Sequence, residues 1–132
     1  MLKTNLKYIP AILWMTFIFF LSSGQTSAIT GTSVQRFIIL KSFHLIEYAI
    51  LFFCFKIAGF SSKRSLLFSY IYALSDEYHQ SFVAGRSALF RDTLIDLVGS
   101  LLAYIISSLT AKTNNSIFNK IINLFSNEKN NS

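Results

Sequence analysis

Residues 43–60 read FHLIEYAILFFCFKIAGF, with His44 and Glu47 at one end, Lys56 near the other, and the uncharged stretch YAILFFCF between them. At 1.5 Å per residue this run makes about 27 Å of helix, close to the ~30 Å of hydrocarbon that a membrane helix must cross. Lys56 does not argue against a span, because its aliphatic stem can carry the ammonium toward the headgroups. The stretch therefore reads as a transmembrane helix.

Three further stretches read the same way. Residues 8–22 (YIPAILWMTFIFFLS) follow Lys3 and Lys7 and carry Pro10 in the first turn, where a missing N–H does least harm. A cleavable signal peptide is the rival reading there, on its basic flank, apolar run and following small residues. Residues 65–82 begin apolar (SLLFSYIYAL) and turn polar at Ser75-Asp76-Glu77-Tyr78-His79-Gln80. Residues 93–109 (TLIDLVGSLLAYIISSL) have Asp92 at their mouth and Asp96 one turn inside. From Lys112 onward Asn, Ser and Lys dominate, apart from residues 116–125 (SIFNKIINLF), where Ile117, Ile121, Leu124 and Phe125 fall at helical spacing. The expected fold is an all-α membrane bundle of about four transmembrane helices over residues 1–111. A polar cytoplasmic tail, 112–132, carries a short interfacial helix.

Composition agrees. Of 132 residues, 52% are hydrophobic and 14% charged, and the mean hydropathy is +0.48, whereas soluble domains are about a quarter charged. A soluble globule lacks the polar cover it needs. Disorder is excluded by the 16% aromatic content, and a disulfide scaffold by the single cysteine, Cys54.

The net charge of +6 is an orientation signal. With the N-terminus in the cytoplasm, Lys3, Lys7, Lys56, Lys63, Arg64, Lys112, Lys120 and Lys129 lie inside, and Arg36, Lys41, Arg86 and Arg91 outside. Both termini are then cytoplasmic. The basic side faces anionic headgroups, and no nucleic-acid partner is required.

This orientation brings the polar ends together on the outer face. Lys41, His44, Glu47 and Tyr48 open the second span, Asp76, Glu77, His79 and Gln80 close the third, Arg86 and Arg91 lie in the connection, and Asp92 and Asp96 open the fourth. Five of the six acidic residues and both histidines fall in this layer. Ionisable groups facing lipid are costly, so these side chains should face one another. Lys41, His44 and Tyr48 share one helix face, as do Asp76 with Gln80 and Asp92 with Asp96. Gly85 suits a tight turn that swings Arg86 over the acids. Gly99 admits a close neighbouring helix. Single residues also have plain structural duties: Asp92 can cap the fourth span, and His79, on another face from Asp76, reads as interfacial.

Three kinds of chemistry suit such a layer. Lys41, His44, Arg86 and Arg91 could hold an anionic headgroup, with the carboxylates positioning them. Glu47, Asp76 or Glu77 could act as a base in hydrolysis or group transfer. The layer could also serve only to lock helices, or to dock a partner. His44-x-x-Glu47 and Asp76-Glu77-x-His79 offer metal-donor types, but the pattern His-Glu-x-x-His is absent and no Cys joins them, so no metal or other cofactor is assigned.

These residues resemble the VanZ-like family of small bacterial membrane proteins. The likeness lies in Ser22-Ser23-x-Gln25, Lys41-x-x-His44-x-x-x-Tyr48, Asp76-Glu77-x-x-Gln80-x-Phe82, Gly85-Arg86 and Asp92-x-x-x-Asp96-x-x-Gly99, over roughly residues 8–109. Where the family usually has Asn one turn after the Asp, this chain has Asp96, and Gly24 stretches the Ser-Ser-Gln element. The resemblance implies a multi-pass protein of the bacterial cytoplasmic membrane, associated with the cell envelope. The family's founding member is linked to resistance to the glycopeptide teicoplanin. The expected ligand is anionic or lipid-linked, such as a cell-wall precursor, bound by Lys41, His44, Tyr48, Asp76, Glu77, Gln80, Arg86, Asp92 and Asp96. Membrane lipid and a second copy of the chain are the other expected partners.

Overall fold

The computed structural model describes residues 6–24, 32–84 and 90–130. A 3-10 turn, Leu6–Tyr8, leads into α1 (Ile9–Ser23); α2 (Ser33–Ile57), α3 (Ser62–Gln80) and α4 (Phe90–Asn130) follow, and no strand occurs among the described residues. Stretches Leu6–Ser23, Phe37–Ile57 and Phe90–Ser116 are long and apolar enough to cross a membrane. The fold is that of an all-α membrane protein. α3 does not meet the same measure. Its 19 residues include Lys63 and Arg64 at one end and Asp76 and Glu77 at the other, and these four charges dilute its apolar middle.

Local chemistry sets the helix ends. α2 starts at Ser33, well before the expected residue 43, because Thr32 and Gln35 form a capping box. The Thr32 hydroxyl accepts from the Gln35 backbone N–H, and the Gln35 side chain accepts from the Thr32 N–H at 3.0 Å. α2 ends in a Schellman turn. Gly59 takes φ 94°, its N–H donates to the Lys56 carbonyl, and the Phe60 N–H donates to the Phe55 carbonyl at 3.1 Å. The Phe55 and Phe60 rings, 5.9 Å apart, close the motif with an apolar contact. Ser61 caps α3 by accepting from the Arg64 N–H. Pro10 sits in the first turn of α1, as expected. α4 runs unbroken to Asn130, so residues 116–125 belong to it and do not form a separate short helix. No Gly or Pro lies between residues 100 and 130 to stop it.

The contacts give an up-down-up-down bundle. α1 runs parallel to α3, with the Tyr72 hydroxyl of α3 donating to the Met15 carbonyl and, about one turn further along α1 and two along α3, His79 stacked on Phe19. α2 runs parallel to α4, Lys41 meeting Asp92 and His44 meeting Asp96. Rings of Phe55, Phe60 and Phe68 pack at the α2–α3 turn, where Lys56 donates to Ser62 at 3.1 Å.

Polarity runs inside out relative to a soluble bundle. The buried side of α3 carries Ser65, Ser69, Asp76, Glu77 and Gln80, and its exposed side Leu67, Phe68, Ile71, Leu74 and Tyr78. Elsewhere Ser22, Glu47, Asp92, Thr93, Asp96 and Ser100 are buried while Leu13, Phe20, Ile57 and Leu109 are exposed. In water this arrangement would forgo hydrophobic burial and strand polar groups. Against lipid it is the favourable one, and the buried apolar core stays small, built around Ile18, Tyr48, Leu51, Phe55 and Ala73.

Candidate functional site

The spacing of two helices builds the layer. Positions 41, 44 and 48 of α2 face positions 92, 96 and 100 of α4, because parallel helices present successive turns in register. Lys41 Nζ and Asp92 Oδ2 form an ion pair at 2.5 Å. His44 Nδ1 lies 3.1 Å from Asp96 Oδ1, with Asp96 only 2% exposed. One turn further, the Ser100 hydroxyl donates to the Tyr48 carbonyl at 3.3 Å. Between the second and third rungs Gly99 lies against the Leu45 backbone carbonyl, so closely that a β-carbon there would overlap it. The close neighbour expected for Gly99 is therefore α2.

α3 closes the layer from a third side. The Gln80 side-chain amide donates to Asp76 Oδ2 at 2.7 Å, within the buried stripe. The Tyr48 hydroxyl is fully buried and stands within electrostatic reach of Asp76, Asp96, Tyr72 and Glu47. Asp96 likewise feels both Asp76 and Asp92. Glu47 is buried, and its backbone carbonyl accepts from the Trp14 indole N–H of α1 at 2.8 Å.

The structure thus brings together Lys41, His44, Glu47, Tyr48, Asp76, Glu77, Gln80, Asp92 and Asp96. Arg86 and Gly85 lie outside the described residues. Arg91 is exposed and stands over the Phe37 ring at 5.4 Å, with Lys41 over the same ring at 5.7 Å. His79, expected as interfacial, is half-buried near the end of α3 and packs face to face on Phe19 at 4.2 Å. Trp14, Tyr72, Ser100 and Phe37 join the surroundings without having been expected. Ser100 had a signal, one turn beyond Asp96 on the same stripe; Trp14 and Tyr72 act on backbone carbonyls of other helices, which no spacing rule encodes.

Two features bear on chemistry. Among the described residues six buried side-chain atoms have no hydrogen-bond partner, a costly state away from water: Asp76 Oδ1, Asp92 Oδ1 and the Tyr48 hydroxyl in the layer, with His79 Nδ1 and the Ser65 and Ser69 hydroxyls elsewhere on α3. An open groove of about 280 Å³ between α3 and α4 is lined by Leu74, Glu77, Tyr78, Ser81, Phe90 and Thr93, so that Glu77 is the layer residue that reaches it. Among the described residues no group of three or more His, Cys, Asp and Glu could hold a metal ion.

An apolar exterior around a buried layer of carboxylates defines a small helical membrane protein with a polar site within the bundle. The chain belongs to the VanZ/LLP1 family, whose model matches residues 7–111, a span that includes the entire layer. No curated protein and no solved structure matches it.

Proposed function

We propose that the chain is a four-span protein of the bacterial cytoplasmic membrane, both termini inside, whose outward-facing polar layer recognises a lipid-linked ligand of the cell envelope. Support for α3 as the fourth span comes from its lipid-compatible exposed side, Leu67, Phe68, Ile71 and Leu74, and from neighbours that cover its polar side. Its 19 residues amount to about 28 Å of helix. The excess of basic residues on the inner side supports the orientation.

The observation that carries the reading is the group of three atoms in the layer that are buried without partners among the described residues, Asp76 Oδ1, Asp92 Oδ1 and the Tyr48 hydroxyl, together with a groove that the layer's Glu77 lines. Helix locking alone has no use for open valences. Of the two ligand descriptions drawn from the sequence, lipid-linked fits better than anionic, because Lys41 and His44 are engaged by Asp92 and Asp96. A second reading, in which the layer only joins helices, draws on those same two rungs.

The test is lipid retention. Parent chain, Asp76→Asn and Glu77→Gln are purified in mild detergent and their bound lipids compared by mass spectrometry, with teicoplanin susceptibility of the expressing cells as the link to glycopeptide resistance. Variants that accumulate and melt like the parent yet lose a retained envelope lipid support recognition. Variants that fail to accumulate, or that retain the parent's lipids unchanged, leave the locking role.

A further inference from the structure

We propose that the end of the bundle opposite the carboxylate layer binds the phosphate of an anionic membrane lipid, in a cradle formed by the 3-10 turn, the α2–α3 turn and the start of α3. The cradle shares no residue with the outward-facing layer, so failure of either leaves the other untouched.

Four cations from three segments meet here. Lys7 Nζ stands 5.1 Å from the centroid of the Tyr8 ring and lies over Gly59, 3.6 Å from where a β-carbon would be. Lys56, in the last turn of α2, donates to Ser62 at 3.1 Å. Lys63 and Arg64 follow in the first turn of α3, and both are exposed. Only Lys56 has an evident structural duty, since a cation complements the C-terminus of a helix. None of the four forms an ion pair among the described residues. The acids that could offset them stand elsewhere: five of the six belong to the layer at the other end, and Glu128 comes twelve residues after the apolar stretch of α4 ends at Ser116, about 18 Å along the axis.

The helix starts add to the positive charge. First-turn N–H groups lack intrahelical partners and carry partial positive charge, so acids are favoured there and cations are not. α3 begins the opposite way. Its first turn holds Lys63 and Arg64 and no acid; the Ser61 hydroxyl accepts from the Arg64 N–H, and those of Ser62 and Lys63 have no partner within the helix. α1 runs parallel to α3 and starts at the same end, also with no acid in its first turn and no side-chain cap. Phosphate oxygens accept from helix N–H groups and from ammonium and guanidinium donors alike.

The apolar surroundings favour a lipid over a free phosphate. The Tyr8 and Phe60 rings pack 6.3 Å apart beside the cradle, and Leu6, Ile9, Ile57 and Leu67 on the same three segments and the start of α1 are exposed. Aromatic rings of this kind sit at headgroup depth. Acyl chains can then lie against the apolar side chains while the phosphate meets the cations.

The experiment uses the full chain in dodecyl maltoside micelles and two radiolabelled probes with matched tails, dioleoylphosphatidylglycerol and dioleoylphosphatidylcholine, each corrected for partition into empty micelles. The expected result is one saturable site for the anionic lipid, about tenfold or more tighter than for the zwitterionic one. Lys7→Gln should weaken it about fivefold, the factor equivalent to about 1 kcal/mol per basic residue at an anionic surface, and Lys63→Gln with Arg64→Gln more than about tenfold. All three positions are exposed, so these variants disturb no buried contact. Lys129→Gln removes the same charge thirteen residues beyond Ser116 and should leave the affinity unchanged; an equal loss there would reduce the effect to net basicity and overturn the site. Displacement by soluble glycerol phosphate at matched concentration would overturn the lipid and give the cradle to a free phosphate. Equal affinity for the two lipids, absence of saturable binding, or binding indifferent to Lys7, Lys63 and Arg64 would overturn the proposal outright.

Discussion

Gly99 of α4 lies directly on the backbone carbonyl of Leu45 of α2, with no room between them for a β-carbon. The contact falls between the His44–Asp96 and Tyr48–Ser100 rungs, so the distance at which α2 and α4 pack also sets the length of those polar contacts. Helix propensity favours Ala over Gly by about 1 kcal/mol. Packing here reverses the sign: Gly99→Ala should destabilise the bundle by about 1–3 kcal/mol through overpacking. Unfolding in mixed micelles measures this, and a more stable variant would show that the two helices do not meet so closely.

The Lys41–Asp92 pair is the outermost rung, its side chains 17% and 12% exposed. Removing one partner of a buried pair costs about 3–5 kcal/mol, while replacing both with apolar groups is often nearly neutral. Lys41→Met should fall at or below the low end of that range, because water still reaches both side chains. The double variant Lys41→Met with Asp92→Leu should recover most of the loss. A double-mutant cycle reads the difference, and additive losses would mean that the pair holds nothing together.

Much of this arrangement was legible in the sequence because helical spacing is local. The steps 41–44–48, 76–80 and 92–96 place side chains on stripes, and the scarcity of charge in a lipid-facing chain requires those stripes to meet. The start of α2 was missed although Thr32-x-x-Gln35 spells a capping box, since the apolar run begins later. α3 defied the hydropathy measure because an average over all its residues hides the division between a polar buried side and an apolar exposed one. The ring contact of His79 was hidden for another reason: its partner, Phe19, belongs to α1, and stacking between helices depends on their relative rotation. The pairing of Lys41 with Asp92 and of His44 with Asp96 was equally invisible, since it too depends on how α2 and α4 are rotated against each other.

Trp14, the single tryptophan, donates its indole N–H to the Glu47 carbonyl and so fastens α1 to the helix that carries four site residues. A hydrogen bond of this kind contributes about 1 kcal/mol net. Trp14→Phe should lower stability by roughly that amount, with lost packing adding a similar increment. In the parent the half-buried indole should emit at short wavelength and resist quenching by aqueous iodide. Emission characteristic of water would indicate that α1 does not dock on α2 as described.

The orientation reduces to whether α3 crosses the bilayer, because its two ends carry the inner and outer loops. Lys63 is exposed at the start of α3 and Ala84 just beyond its end, so cysteines at these positions disturb no buried contact. Cys54, buried in α2, is first replaced by Ala to remove background. In intact cells or spheroplasts a membrane-impermeant maleimide should label Ala84→Cys, and Lys63→Cys only after permeabilisation. The reverse pattern would invert the protein and turn the carboxylate layer toward the cytoplasm. Labelling of both from one side would mean that α3 does not cross. Its buried Asp76, Glu77 and Gln80 would then need an explanation other than an outward-facing site.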